Sequence, residues 1–426
     1  MSLADYLPRL VDAELTDLLS ALPAVAIEGA KAVGKTRTAE RMAATVFSLA
    51  SRNVALDVEA GPEVISRAAQ PVLVDEWQRL PWIWDEIRQW VDRDPNPGRF
   101  ILTASAAPRG ARVHSGAGRI VTIRMRPLSL VERGLDQPTV SLADLLSGQV
   151  SEVRGESGLA LSDYVREIVG SGFPAIRAVP ADYRARALDG YIEAVVAKEF
   201  PEQGLMVRKP ESLLSWLRAY ALATGSTAQY TTILDAATPG SGDKPSKSQT
   251  LVYRDTLASL WLIDPIAAWD PFGFGLEAPL TKSPKHYLAD PALAARLLGL
   301  TEESVFAATE PEPVGIQGGS VLGRLFEALV ALNLQVYAAA ARARLGHLRT
   351  VSGQREVDFI AQRGNSLVAL EVKLAPTPSD ADVRHLNWLQ DELPGQVKAK
   401  VCVTTGPRAY TRPDGVHVVP AVLLGP

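Results

Sequence analysis

Eight residues, Gly29-Ala30-Lys31-Ala32-Val33-Gly34-Lys35-Thr36, have the spacing of a loop that grips phosphate. The glycines let the backbone approach an anion closely. The amides of such a turn, with the positive end of the helix after it, cradle a polyphosphate. Lys35 is placed to reach the β- and γ-phosphates, and the Thr36 hydroxyl to hold a magnesium ion. The context agrees, because the apolar run 24–27 reads as a strand and residues 37–44 as a helix. ATP and Mg2+ are therefore the expected ligands.

A second chemical pair follows at Asp75-Glu76, which closes the apolar run 71–74. Continuous apolar runs of this kind mark parallel strands covered on both faces. Asp75 is expected to help hold magnesium and Glu76 to polarise the attacking water. The plain alternative, two solvated acids at a strand end, is disfavoured by their position downstream of the phosphate loop. A third strand, 99–105, ends in Thr103 and Ser105, hydroxyls suited to sensing the γ-phosphate or orienting water. The glycine-rich basic passage 109–119 supplies Arg119, read either as the cation that stabilises phosphoryl transfer or as a solvated arginine.

A separate acidic constellation lies near the C-terminus. Residues 356–360 alternate as a strand, 367–373 form another, and Gln362-Arg363-Gly364-Asn365 suits the hairpin between them. Positions two apart on a strand share a face, so Glu371 and Lys373 project together while Asp358 approaches from the neighbouring strand. Glu327, on a helical stretch upstream, is a fourth candidate. Two carboxylates and an ammonium at one point suit metal-assisted phosphodiester hydrolysis, with Asp358 and Glu371 as oxygen ligands and Lys373 steadying charge. Ordinary salt bridges between edge strands are the competing reading.

The elements that must position these groups divide the chain of 426 residues into several parts. Residues 1–135 alternate strand and helix, as a parallel nucleotide-binding sheet requires. Residues 136–205 read as a linker and a helical region, broken at Gly172-Phe173-Pro174. Residues 206–310 read as three helices and a strand, the order of a winged helix, with Lys244, Lys247 and Arg254 at the presumed reading helix. Residues 311–426 hold the acidic constellation and carry a modest basic surplus. The tryptophans Trp77, Trp82, Trp84 and Trp90 read as a helix packing on the core. The net charge of −4 rules out a globally basic nucleic-acid binder. One cysteine, Cys402, leaves no disulfide framework and no cysteine zinc site. No secretion signal and no run of eighteen apolar residues is visible, so no membrane span and a cytoplasmic location are expected.

These motifs together resemble a bacterial and archaeal group of AAA-type ATPases whose C-terminal half was long catalogued as a domain of unknown function. The likeness runs through residues 29–36, Asp75-Glu76, 100–105 and Gly118-Arg119 with Arg126-Pro127-Leu128-Ser129. It continues through Gly172-Phe173-Pro174, Gly323-Arg324-Leu325-Phe326-Glu327, Glu356-Val357-Asp358-Phe359 and Glu371-Val372-Lys373. The last set is similar to the PD-(D/E)XK nuclease core, in which the matching Asp358, Glu371 and Lys373 would be catalytic. One departure is Thr103-Ala104-Ser105, where the family often has Thr-Gly-Ser. The resemblance implies an α/β chain: a P-loop AAA-type ATPase domain, a helical and winged-helix middle, and a restriction-endonuclease-like α/β domain.

The expected function is ATP hydrolysis whose nucleotide state controls a DNA-directed C-terminal module. Two alternatives stand beside it: a nucleotide-gated, metal-dependent DNA nuclease, and a non-enzymatic switch that binds a protein partner when ATP is bound. Assembly into a homo-oligomer is compatible with each.

Overall fold

Continuous apolar strands fold as a covered parallel sheet, and the N-terminal sheet has that form. Its strands are β1 (Ala24–Glu28), β2 (Thr45–Ser48), β3 (Val72–Asp75), β4 (Phe100–Ala104) and β5 (Ile120–Arg124), in the order β2-β3-β4-β1-β5 and parallel throughout. The computed structural model describes residues 6–106, 116, 118–204, 210–237, 247–276, 280–307 and 321–426. Parallel strands place all their C-terminal ends on one edge, where α/β proteins bind ligands. Here that edge gathers Glu28, Asp75, Ala104 and Arg124. The helix Ile83–Arg93 covers one face and buries Trp84 and Trp90, as the sequence implied; Trp77 is buried just before it and Trp82 is partly exposed.

The C-terminal sheet has seven strands. They are β7 (Gly155–Glu156), β8 (Arg344–Arg349), β9 (Glu356–Arg363), β10 (Ser366–Val372), β11 (Val397–Thr404), β12 (Arg408–Thr411) and β13 (Val416–Pro420), ordered β7-β12-β13-β11-β10-β9-β8. A short β6 (Val140–Ser141) pairs with β14 (Leu424–Gly425). β9 and β10 form the expected hairpin, with Arg363 opposite Ser366 and Gly364 at φ +58°. β10, β11 and β13 run parallel, with the helix Asp380–Glu392 crossing between the first two. Cys402 is a buried residue of β11.

The polar passage read as a linker is instead woven into this sheet. β7 pairs with its strand β12, β6 pairs with β14 in a separate two-stranded sheet, and the helix Leu142–Ser147 between them buries Leu142, Leu145 and Leu146. The reason is apolar content: these leucines join the same core as β10 and β11.

Between the sheets stand the helices Leu161–Val169, Ala181–Ala194, Pro210–Leu222, Tyr230–Ala237, Lys247–Ser259 and Pro291–Leu297. After Lys247–Ser259 the chain makes antiparallel bridges, Ile263 with Leu288 and Ile266 with Lys285, forming a narrow ribbon. The ribbon also joins β8 through Ala268 with His347 and Leu280 with Thr350. Lys244 lies outside the described residues, as do Gly240 and most of the basic passage after β4.

The helix Val321–Ala340 is long and apolar enough to cross a membrane, but 72% of its apolar window is buried inside the molecule. Its residues Phe326, Leu329 and Leu334 share one apolar cluster with Val25 and Ile27 of β1 and with Phe359 of β9. The core is therefore continuous from the first sheet to the last.

Gly29 shows how tightly the first edge is built. A Cβ placed there would lie 2.1 Å from the carbonyl oxygen of Met125. Gly29→Ala must displace backbone rather than a flexible side chain. We expect it to lower stability by about 1–3 kcal/mol, read as a lower thermal midpoint of the full chain. An unchanged midpoint would contradict the packing described.

Candidate functional site

The strand–loop–helix unit forms because β1 is apolar and buried through Ile27 and Gly34 takes a left-handed backbone, φ +105°, just before the helix Lys35–Glu40. Lys35 turns back into the loop, and its Nζ donates to the carbonyls of Gly29 and Ala30 at 2.9 Å each. Burial pulls its ammonium down to about 8, against the support of Glu76 and Asp75. Thr36 donates its hydroxyl to Asp75 Oδ1 at 2.7 Å. Thr103 donates to the same oxygen at 2.6 Å, and Ser48 to Oδ2 at 3.2 Å. The hydroxyl of one loop and the carboxylate of another strand end are thus already paired where magnesium is expected.

Glu76 sits immediately past β3 with φ +58°, a conformation that side chains rarely adopt. Its Oε2 accepts from Ser105 at 2.8 Å and from Gln78 Nε2 at 2.6 Å. Thr103 therefore serves Asp75, and Ser105 serves Glu76. Gln78 was not apparent from spacing, since nothing short-range distinguishes it.

The loop is braced from two sides by residues that the motif does not contain. Arg9, buried, donates to the carbonyls of Val33 at 2.7 Å and Arg126 at 2.6 Å, and pairs with Glu132 at 3.0 Å. Lys31 Nζ reaches Glu199 Oε1 at 2.5 Å, and Tyr191 donates its hydroxyl to the Lys31 carbonyl at 3.2 Å. Burial lowers the Lys31 ammonium, but Glu199 more than offsets that and holds it above its ordinary value. The remaining loop residues Ala30, Ala32 and Val33 supply backbone, Ala32 with φ +68°.

Arg119 does not join this group. It precedes Ile120, which lies opposite Ala24 at the start of β1, whereas the loop follows the end of β1. The separation along the strand is about 16 Å. There Arg119 pairs with Asp92 at 2.6 Å. It stands at the wrong end of a parallel sheet to reach a phosphate bound in the same chain. The arginines at the right end are Arg124 and Arg126, and both hold Asp264, at 3.0 and 2.7 Å.

The C-terminal sheet does bring Asp358, Glu371 and Lys373 together, with Glu327 beside them. Lys373 Nζ contacts Glu371 Oε1 at 2.8 Å, and Asp358 Oδ2 accepts the Val372 amide at 2.9 Å. An unforeseen member occupies the middle. Lys285, on the ribbon and only 1% exposed, places Nζ 2.7 Å from Asp358 Oδ1, 2.8 Å from Glu327 Oε1 and 3.8 Å from Glu356. Tyr287 donates its hydroxyl to Glu327.

Charge follows from this arrangement. Burial disfavours the Lys285 ammonium, but Asp358 and Glu327 outweigh it and hold the group well above its ordinary value. Burial would raise Asp358, yet Lys285 and Lys373 keep it low. Burial, then Asp358, pushes Glu371 up to about 8; burial likewise lifts Glu327 to about 7. With Lys285 seated between Asp358 and Glu327, no group of three or more His, Cys, Asp or Glu among the described residues is disposed to hold a metal ion. The cation between these carboxylates is a lysine, and no local pattern around residue 285 announces it.

A family model described as an AAA domain matches residues 22–133. Two further models, each described as a domain of unknown function, match residues 161–304 (DUF8612) and 322–424 (DUF4143). The chain thus pairs an AAA domain with a C-terminal DUF4143 domain. It is similar to an uncharacterized protein of Mycobacterium tuberculosis, 26% identical over 96% of this chain and 82% of that one. Among solved structures, the Walker-type ATPase PABY2304 of Pyrococcus abyssi aligns at 14% identity over 69% of this chain and 96% of that chain, TM-score 0.41. The ORC2 protein of Aeropyrum pernix aligns at 15% identity over 76% of this chain and 93% of that chain, TM-score 0.31.

The depressed Lys35 gives a pH signature. Its folded value near 8 lies below the ordinary 10.5, so between those values the folded chain has shed a proton that the unfolded chain keeps, and stability rises with pH there. Phosphate needs the ammonium, so the affinity for ATP moves the other way. We expect it to fall about tenfold between pH 8 and 9.5, measured by calorimetry. Lys35→Arg, whose cation persists, should flatten the profile. A wild-type affinity that ignores pH in this window would refute the assignment.

Proposed function

We propose that this chain binds and hydrolyses ATP with magnesium, and that its nucleotide state controls a DNA-directed C-terminal module. The observation that carries the first half is the convergence of Lys35, Thr36, Asp75 and Glu76 on the C-terminal edge of one parallel sheet. The residues fit the ligand. Gly29 and Gly34 keep the cradle free of side chains, Lys35 reverts to loop carbonyls in place of phosphate oxygens, and Thr36 already faces Asp75.

Bound magnesium would supply the charge that draws electrons from the transferring phosphoryl group. The chain's own residues do the rest. Lys35 and the loop amides bind the phosphates, Thr36 and Asp75 hold the ion, and Thr103 fixes the Asp75 carboxylate through a buried hydrogen bond. Glu76, oriented by Ser105 and Gln78, takes the proton of the attacking water. Lys31 and Glu199 close one side of the loop.

The second half of the proposal draws support from two features. The helices Pro210–Leu222, Tyr230–Ala237 and Lys247–Ser259 precede an antiparallel ribbon, the order of parts in a winged helix. The C-terminal sheet, with Asp358 on one strand and Glu371 and Lys373 at the end of the next, has the residue types of a PD-(D/E)XK nuclease core. The ribbon touches both regions, which favours control of one by the other.

Glu76→Gln is the discriminating variant. We expect magnesium-dependent phosphate release to fall about 100-fold or more while ATP affinity stays within about threefold, with Lys35→Ala losing binding. Duplex DNA mobility should then differ between the ATP-trapped variant and nucleotide-free protein. Wild-type protein that releases no phosphate under any magnesium concentration sinks the hydrolytic reading; mobility indifferent to nucleotide sinks the control reading.

A further inference from the structure

The carboxylates of the C-terminal site already hold a cation, and that cation belongs to another part of the chain. Lys285 enters from the ribbon. It lies 2.7 Å from Asp358 and 2.8 Å from Glu327, almost wholly buried. Its backbone is pinned by two hydrogen bonds to Ile266, at 2.9 and 2.8 Å, and the Asp264 amide donates to Tyr287 at 2.8 Å. The ribbon therefore delivers both Lys285 and Tyr287 to the acids as one piece.

A second observation concerns Glu371, which lies outside the hydrogen-bonding reach of Lys285. Its Oε1 is held by Lys373, but its buried Oε2 has no hydrogen-bond partner. A buried carboxylate oxygen without a partner is costly. Glu371 and its neighbours Glu327, Glu356 and Asp358 face the ammonium groups of Lys285 and Lys373, and Glu356 also meets the Arg349 guanidinium at 3.8 Å. One buried oxygen in the site, Oε2 of Glu371, is unused.

Hard carboxylate oxygens at this density suit a small divalent cation such as Mg2+ or Mn2+. With Lys285 seated, both oxygens of Asp358 and Oε1 of Glu327 are engaged. We propose that Lys285 and a divalent cation compete for these carboxylates, so that the ribbon shuts the site against metal until Lys285 is withdrawn. This rests on the reading of the C-terminal cluster given above, and it holds whether or not the protein cuts DNA. The linkage to nucleotide runs through Asp264, which precedes Ile266 on the same ribbon arm and is held by Arg124 and Arg126 at the edge carrying the phosphate loop.

The test is Mn2+ binding to the nucleotide-free full chain, followed by the electron paramagnetic resonance of free Mn2+. Any Mn2+ held near Asp75 is common to all variants and cancels. Wild type and Lys285→Arg should show no Asp358-dependent site. Lys285→Gln should gain one Mn2+ per chain at least tenfold more tightly, and Lys285→Gln with Asp358→Asn should lose it again. Should Lys285→Gln fail to fold by circular dichroism, Asp264→Asn, which loosens the ribbon from a distance, must raise the Asp358-dependent affinity instead. The proposal is overturned if wild type already binds Mn2+ through Asp358 as tightly as the variant. It is equally overturned if the folded variant, or Asp264→Asn in its place, gains nothing. Phosphate release from ATP is read separately, so neither result decides the other.

Discussion

A carboxylate buried among apolar groups must be neutralised where it stands, and Asp264 is the point on which the arrangement of this molecule turns. Burial would raise it; Arg126 and then Arg124 overcome that and keep it ionised. Both arginines extend from the end of β5, next to the strand that carries the phosphate loop. The requirement to satisfy one acid thus fixes the ribbon against the nucleotide-binding sheet. Removing either side of such a buried set is far more disruptive than the net strength of the pair suggests. The position of the ribbon is set from two sides, by the first sheet at Asp264 and by β8 of the C-terminal sheet at Ala268 and Leu280.

A second connection runs parallel to the first. The helix Val321–Ala340 accepts the Leu130 amide through Asn333 at 2.8 Å, just past the AAA sheet, and presents Glu327 to the acidic cluster two turns earlier. Its Gln335 also supports Asp264. Both routes cross a continuous apolar core, and packed cores shift between discrete arrangements rather than bending smoothly. In the proposed control, communication between the two sites would run through the polar joints at Asp264, Asn333 and Lys285. The passage that read as a linker is joined to the C-terminal sheet at β7 and packed on its core.

How much of this was legible depended on the range of the interaction. The phosphate loop, Asp75-Glu76 and the hairpin at Gly364 are local patterns, each written in a few consecutive residues. Spacing also brought Glu371 and Lys373 onto one face, since strand periodicity is a local rule. The residues that spacing missed act across the fold. Arg9 braces the loop from ahead of the first strand, Glu199 from far downstream, and Lys285 reaches Asp358 across the ribbon. Arg119 failed for a related reason: its residue type was suitable, but parallel register placed it at the opposite end of the sheet. The linker reading failed because polar and glycine residues outweighed the three leucines that bury Leu142–Ser147.

The two lysines of the C-terminal cluster differ in what holds them. Lys373 lies two residues from Glu371 and moves with it, so its charge is a fixed property of that sheet. Lys285 comes from a ribbon tied to both sheets, to the first through Asp264 and to the second through β8, and its charge reaches Asp358 only while the ribbon stays seated. A cluster built solely to be stable would gain nothing from importing its cation, since a second lysine on β9 or β10 would neutralise it with less ordering of the chain. Importing the cation makes the charge state of the acids depend on the geometry between modules. In the proposed control, that dependence would let an event at the phosphate loop change what the distant carboxylates bind.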